Sequence, residues 1–228
     1  MNLPRITEEG VPYISYSQIS TWIGKEAFNK VIDYNTGNLK SVSGKTGYIL
    51  RYFFNYDFPP SPMDVYAPFG ILIEDAICNQ EFSCFTTEEQ EILKSITPLG
   101  VFQYPVKVEF DGFTLNGYID DMAADFSIIR DYKTGSIAST KKYSKPEYDQ
   151  LNMYALDIYR KTGKIPEAEV SVILRSGSHL NMPMRVSGVQ TIKRNITMND
   201  LYAAEAKIIS TAKEIAECYT IFCEVFKK

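Results

Sequence analysis

The sequence predicts an α/β domain, a central mixed β-sheet flanked by helices, and three patterns carry that reading. Helical apolar spacing follows capping signals at both ends of the chain. Between them the period drops to two: VKVEF (106–110) and FTLNGYID (113–120) alternate around Asp111-Gly112, a favoured dipeptide for a two-residue hairpin turn. A third run, FSIIRDYK (126–133), returns after DMAAD and completes a meander.

In chain order, Ser15-Tyr-Ser-Gln18 reads as a capping box that opens a helix through about Val31, carrying Trp22 and Phe28. YNTGNLKSVSGKTG is loop-like. A phosphate-binding loop would need glycine five residues before Gly44-Lys45, where Leu39 stands, so Gly44-Lys45-Thr46 reads as a turn. The Pro-rich NYDFPPSP (55–62) precedes a helix in FGILIEDAICNQ, and Thr86-Thr-Glu-Glu89 caps a short helix to about Ser95. After the meander, Ser144-Lys-Pro-Glu147 is expected to cap a helix, EYDQLNMYALDIYRK, with Leu151, Tyr154, Ala155 and Ile158 as its core stripe. EVSVILR (169–175) and VQTIKRNI (189–196) are further strands, and Thr197-Met-Asn-Asp200 opens a long last helix. With no repeat, low-complexity tract or linker, one domain over 1–228 is expected. Its motif-bearing core spans about 13–160, and its terminal strands and helix about 165–226.

Composition narrows the partners. The chain is 45% hydrophobic and 23% charged, as globular proteins are. It contains no apolar run near the roughly 18 residues a membrane span needs, and its start lacks the features of a targeting peptide. No membrane partner and a cytoplasmic location are expected, in the host cytoplasm if the protein is viral. Cys78, Cys84, Cys218 and Cys223 have no CxxC spacing and read as free thiols. The net charge of −4 argues mildly against nucleic acid, but the charge is uneven. Between Arg130 and Arg194 there are 12 Lys/Arg against 6 Asp/Glu; the remainder has 12 against 22. A basic segment of this kind suits phosphate binding. Solvated helix faces account for it equally well.

That segment begins at IIRDYKTG (128–135). Alternation puts Ile129, Asp131 and Lys133 on one face. If the chain reverses around Ala124, Asp120 lies beside them. Two adjacent carboxylates repel unless a cation sits between them. A small set of oxygen ligands suits Mg²⁺, with a phosphate completing the shell and the lysine positioning or deprotonating a water. The plain alternative is a cross-strand surface charge pair, worth less than ~1 kcal/mol.

Five stretches in order resemble the PD-(D/E)XK nuclease superfamily, in the branch of the RecB nuclease domain, the CRISPR-associated adaptation nucleases and lambda exonuclease. They are YISYSQISTW, Gly70-Ile-Leu-Ile-Glu74, Gly117-Tyr-Ile-Asp120, Asp131-Tyr-Lys-Thr-Gly135 and Gln150-Leu-Asn-Met-Tyr154. The resemblance implies a restriction-endonuclease-like core. It implies Mg²⁺ or Mn²⁺ held by Glu74, Asp120, Asp131 and the Tyr132 carbonyl, with Asp120, Asp131 and Lys133 catalytic. Gln150 and Tyr154 would contact DNA or support the lysine; Tyr154 also fits the core stripe. Asp121 points to the opposite face and is left out. His is common at the Glu74 position in this branch, and glutamate suits Mg²⁺ better. The cysteines do not match the iron–sulfur subgroup, so no cluster is expected, and His179 reads as a loop residue.

The expected activity is a metal-dependent DNA exonuclease of phage-type recombination, replication or repair. Its partners would be DNA together with further copies of the chain or a recombination or replication protein. Alternatives are a structure-specific endonuclease of the same fold, an inactive DNA-binding or assembly module, and a nucleotide-binding protein using the GKTG stretch.

Overall fold

A computed structural model of the chain describes residues 1–24, 30–33 and 35–226. In chain order its elements are β1 (Tyr13–Ile14), α1 (Tyr16–Ile23), β2 (Lys30–Ile32), β3 (Leu39–Ser41), α2 (Gly44–Tyr52) and α3 (Tyr66–Asn79). Then come α4 (Thr87–Lys94), β4 (Gly100–Phe110), β5 (Phe113–Ala123), β6 (Ile128–Gly135), α5 (Gln150–Thr162), β7 (Glu167–Ser178), β8 (Asn181–Arg194) and α6 (Met198–Phe226). Short 3-10 helices cover Pro62–Val65 and Ile137–Ser144. Residue contacts divide the chain into two compact units.

The first unit comprises Met1–Pro60, Val106–Gly117 and Tyr202–Lys228. Here β1 runs parallel to the first residues of β5, pairing Tyr13 with Thr114 and Ile14 with Leu115. Ser15 and Gln18 form the expected capping box. The helix nevertheless stops at Ile23, and Gly24 takes an extended conformation. Val31 lies in β2, paired with Lys40 of β3, while Phe28 falls outside the described residues. Gly44-Lys45-Thr46 is the first turn of α2 rather than a loop, because the Ser43 side chain accepts from the Thr46 N–H. A Cβ on Gly44 would lie 2.2 Å from the Thr21 carbonyl oxygen, so glycine is what lets α2 approach α1. Trp22 meets Tyr48 edge-on at 5.2 Å, donates its indole N–H to Glu214 at 3.0 Å, and lies under Lys45.

The second unit comprises Ser61–Pro105 and Tyr118–Leu201. Its strand order is β5-β6-β7-β8. The β5–β6 pair is antiparallel (Asp121 opposite Arg130), β6–β7 parallel (Asp131 opposite Val170) and β7–β8 antiparallel (Val172 opposite Gln190). The parallel pair requires a crossover, and α5 supplies it. Ile73, Ile77, Phe82, Phe85, Leu93, Tyr132, Ile173 and Val186 form one core beneath α3 and α4. Thr86 and Glu89 cap α4 as expected, and Thr197 with Asp200 caps α6.

The fourth capping expectation fails. Ser144 ends a 3-10 helix, its hydroxyl donating to the Lys141 carbonyl, and α5 begins only at Gln150. Three backbone carbonyls between Tyr143 and Tyr148 accept from Arg194, which fixes this stretch as a loop. The β7–β8 hairpin is longer than its alternating runs, because its distal half is held by cross-strand pairing up to Ser178–Asn181.

Candidate active site

The site lies within the second unit, at the centre of the meander. The β5–β6 register sets Asp121 opposite Arg130 and so brings Asp120 beside Asp131. Asp120 Oδ2 accepts the Tyr132 backbone N–H at 2.7 Å. Asp131, only 1% exposed, accepts from Lys133 Nζ at Oδ1 and from the Tyr148 hydroxyl at Oδ2, both at 2.6 Å. Gln150 Oε1 lies 3.1 Å from the same hydroxyl, and Gln150 Nε2 donates to the Tyr154 hydroxyl at 3.4 Å. Asp131, Lys133, Gln150 and Tyr154 are therefore linked through Tyr148 into one hydrogen-bonded cluster, and Asp120 lies beside it across the β5–β6 pair. Tyr132 sits in the β6–β7 ladder opposite Ser171.

Electrostatics are strained here. Burial, and then the charge of Asp131, push the Asp120 carboxyl up to about 8, with Lys133 offsetting part of the effect. Burial would lower the Lys133 ammonium, but Asp131 and Asp120 outweigh it and hold Lys133 above its ordinary range. Lys133 is thus held as a cation beside Asp131, placed to donate to an oxygen.

Glu74 stands apart from this hydrogen-bonded set. Its carboxylate accepts from the Gln103 side chain, and burial raises it despite the opposing charge of Lys133. Gln103 has a φ of 51°, a left-handed conformation uncommon for a non-glycine residue. Such strain inside a strand is a pointer to function that the alternation of β4 conceals. Gly70, one turn before Glu74, packs where a Cβ would lie 3.3 Å from Thr134 Oγ1. Tyr66, Gly70, Glu74, Tyr132, Lys133 and Thr134 line a cleft of about 260 Å³. His179 lies in the turn between β7 and β8, a loop residue as expected, and its Nδ1 is 2.9 Å from the Tyr66 hydroxyl of the cleft wall.

The donor chemistry fits a hard divalent cation, since every candidate ligand is an oxygen. Once Asp120 gives up its proton, the two carboxylates carry more negative charge than Lys133 cancels, and a bound cation would offset it. Among the described residues, however, no three His, Cys, Asp or Glu side chains are gathered closely enough to enclose an ion. Glu74 is engaged by Gln103, and both Asp131 oxygens already have donors.

Tyr148 and Gln103 are the site residues that sequence reasoning missed. Tyr148 was legible only as an aromatic two residues before Gln150. Asp121 faces the other way, as alternation requires. It accepts from the Leu99 and Gly100 N–H groups, from Arg130 Nη1 and from the Tyr132 hydroxyl.

No described helix is long and apolar enough to cross a membrane. No protein-family model matches the chain, and no curated protein does. Among solved structures it is similar to a "putative exonuclease" from Eubacterium rectale, with a TM-score of 0.56 and 12% identity over 95% of this chain and 87% of that one. It is also similar to a phage-related exonuclease from Haemophilus somnus 129PT, with a TM-score of 0.49 and 12% identity over 89% and 94% of the two chains. The first likeness shows a shared fold: a mixed α/β architecture with a central mixed sheet flanked by helices.

Proposed function

We propose that the protein is a nuclease of the PD-(D/E)XK kind, an exonuclease that hydrolyses DNA phosphodiester bonds with Mg²⁺ or Mn²⁺. The observation that carries this reading is the junction of Asp120, Asp131 and Lys133 on paired strands, with Asp120 pushed up to about 8 by burial and by Asp131. The fold shared with a structure named as an exonuclease supports it, as does the excess of Lys/Arg between Arg130 and Arg194.

In this reading Asp120 and Asp131 hold the ion, with Glu74 and the Tyr132 carbonyl as further ligands. The bound ion supplies positive charge that favours deprotonation of a water and offsets charge building on the phosphate. Lys133, kept cationic, donates to a phosphate oxygen in the transition state. The water oxygen bonds to phosphorus, the bond to the 3′-oxygen breaks, and a proton passes to that oxygen, leaving a 5′-phosphate. Gln150 and Tyr154 support the cluster along the first turns of α5. A role in phage-type recombination, replication or repair, in company with a partner protein or further copies of the chain, belongs to the same proposal.

End-labelled linear duplex, linear single strands and covalently closed circles, each with Mg²⁺, Mn²⁺ or EDTA, test it beside Asp120→Ala and Lys133→Ala proteins. Metal-dependent loss of linear DNA alone, abolished by both substitutions, is expected. Nicked circles would make the enzyme an endonuclease. DNA binding without cleavage under every condition would leave only a binding module.

A further inference from the structure

Asp131 is held on both of its oxygens, and the second donor comes from outside the motif. Tyr148 belongs to the loop between the 3-10 helix Ile137–Ser144 and α5, a stretch with no ladder to fix it. Its backbone N–H makes a turn to the Lys145 carbonyl, and its ring meets Tyr143 edge-on at 5.0 Å. A further restraint on the loop is Arg194, the last residue of β8. Nη1 donates to the Tyr143 and Lys145 carbonyls at 3.0 and 2.8 Å, and Nη2 donates to the Tyr148 carbonyl at 3.0 Å. One guanidinium thus binds the backbone of the same residue whose hydroxyl binds Asp131 at 2.6 Å.

We infer that Arg194 and Tyr148 act in series as positioning residues for Asp131, a role that rests on the proposed metal site. A tyrosine on an unrestrained loop would divide its hydroxyl among rotamers and solvent, and ordering it would cost entropy each time an ion bound. The planar fork of Arg194 spans three carbonyls from one side chain, which an ammonium cannot reproduce. With the loop fixed, the hydroxyl fixes the carboxylate plane of Asp131. Each Asp131 oxygen keeps a lone pair beyond its bond to Lys133 or Tyr148, and a fixed carboxylate plane fixes where those pairs point, so an ion binds with less reorganisation. Hydrogen-bond partners of ligating carboxylates typically change metal affinity by about 10- to 100-fold.

The test titrates Mn²⁺ into metal-free full-length protein and follows the free-ion electron paramagnetic resonance signal. It compares the unsubstituted chain, Tyr148→Phe, Arg194→Met and the double variant, with circular dichroism to verify folding. Tyr148→Phe is expected to weaken binding about 10- to 100-fold. Arg194→Met should fall between that variant and the parent, and the double variant should be no weaker than Tyr148→Phe. Unchanged affinity in Tyr148→Phe overturns the inference, as does a double effect that multiplies the two single ones. Should Arg194→Met not fold, Arg194→Lys takes its place and is expected to be impaired despite keeping its charge. If the parent takes up no Mn²⁺, the metal reading of the site falls, and proton NMR decides the positioning role. The Tyr148 hydroxyl proton, identified by its loss in Tyr148→Phe, should exchange slowly in the parent and be lost in Arg194→Met. Equal exchange in both proteins would overturn it.

Discussion

On one face of β6, Arg130 is surrounded by Asp121, Glu169, the Thr97 carbonyl and the Tyr132 hydroxyl, at 2.6 to 3.3 Å. On the other, Lys133 answers Asp131 while Asp120 has a single backbone N–H. Each sets one cation beside two strand acids; Arg130, Asp121 and Glu169 are buried, as is Asp131, while Asp120 and Lys133 are half-buried. They differ in how many donors the protein supplies. Asp121 receives two backbone N–H groups, a guanidinium and a phenol, and Glu169 lies 2.6 Å from Arg130 Nε. That network is densely bonded, so its stability depends on keeping its members. Asp120 lacks such company, and burial with the charge of Asp131 holds its proton up to about 8. The lesson is that a buried charge cluster points to function when its charges are left uncompensated, and to architecture when they are saturated.

Substitutions on either face of β6 test that contrast. Asp120→Asn removes a ligand of the proposed ion and should reduce cleavage by about 10²- to 10³-fold, the scale of losing one group that stabilises transition-state charge, while raising the melting temperature of the metal-free protein. Initial rates and thermal melts on one preparation check both halves. Arg130→Met should do the reverse. Leaving Asp121 and Glu169 buried without their cation should cost about 3–5 kcal/mol in urea melts, with cleavage per folded molecule largely retained.

A pH series separates the faces without changing any atom. In EDTA, Asp120 in the folded chain keeps its proton until about 8, whereas the unfolded chain releases it near 3.8. Between those values the native state binds more protons, so stability falls as pH rises and levels off above 8. Melting temperatures between pH 5 and pH 9 should show that fall, and Asp120→Asn should flatten it. A rising profile in the same window would contradict the placement of Asp120. The smallest effect concerns α3. Gly70→Ala sets a methyl 3.3 Å from Thr134 Oγ1 but gains helix propensity of about 1 kcal/mol, so it should be nearly neutral. Gly70→Val should cost about 1–3 kcal/mol by overpacking, measured by denaturant titration.

Much of the scaffold was legible because it rests on local chemistry. Alternation and Asp111-Gly112 delimit the hairpin, and the Ser15, Thr86 and Thr197 caps lie where the spacing of side-chain oxygen and backbone N–H puts them. The same local rule failed at Ser144, where Arg194, 50 residues away in sequence, claims the loop carbonyls. It failed at Gly44 too, where a turn-like string is the start of a helix lodged against the Thr21 carbonyl.

Alternation along IIRDYKTG was enough to place Asp131 with Lys133, and alternation along β5 to send Asp121 to the face opposite Asp120, since side-chain direction in a strand has a period of two. Antiparallel return about Ala124 was enough to bring Asp120 beside them. Two things were left to tertiary structure. It decided that Glu74 is tied to a strained Gln103, and that Asp131 is gripped by Tyr148 through a loop fixed from β8. Those contacts join residues whose separation along the chain carries no periodic signal, and only packing fixes which distant donor reaches which carboxylate.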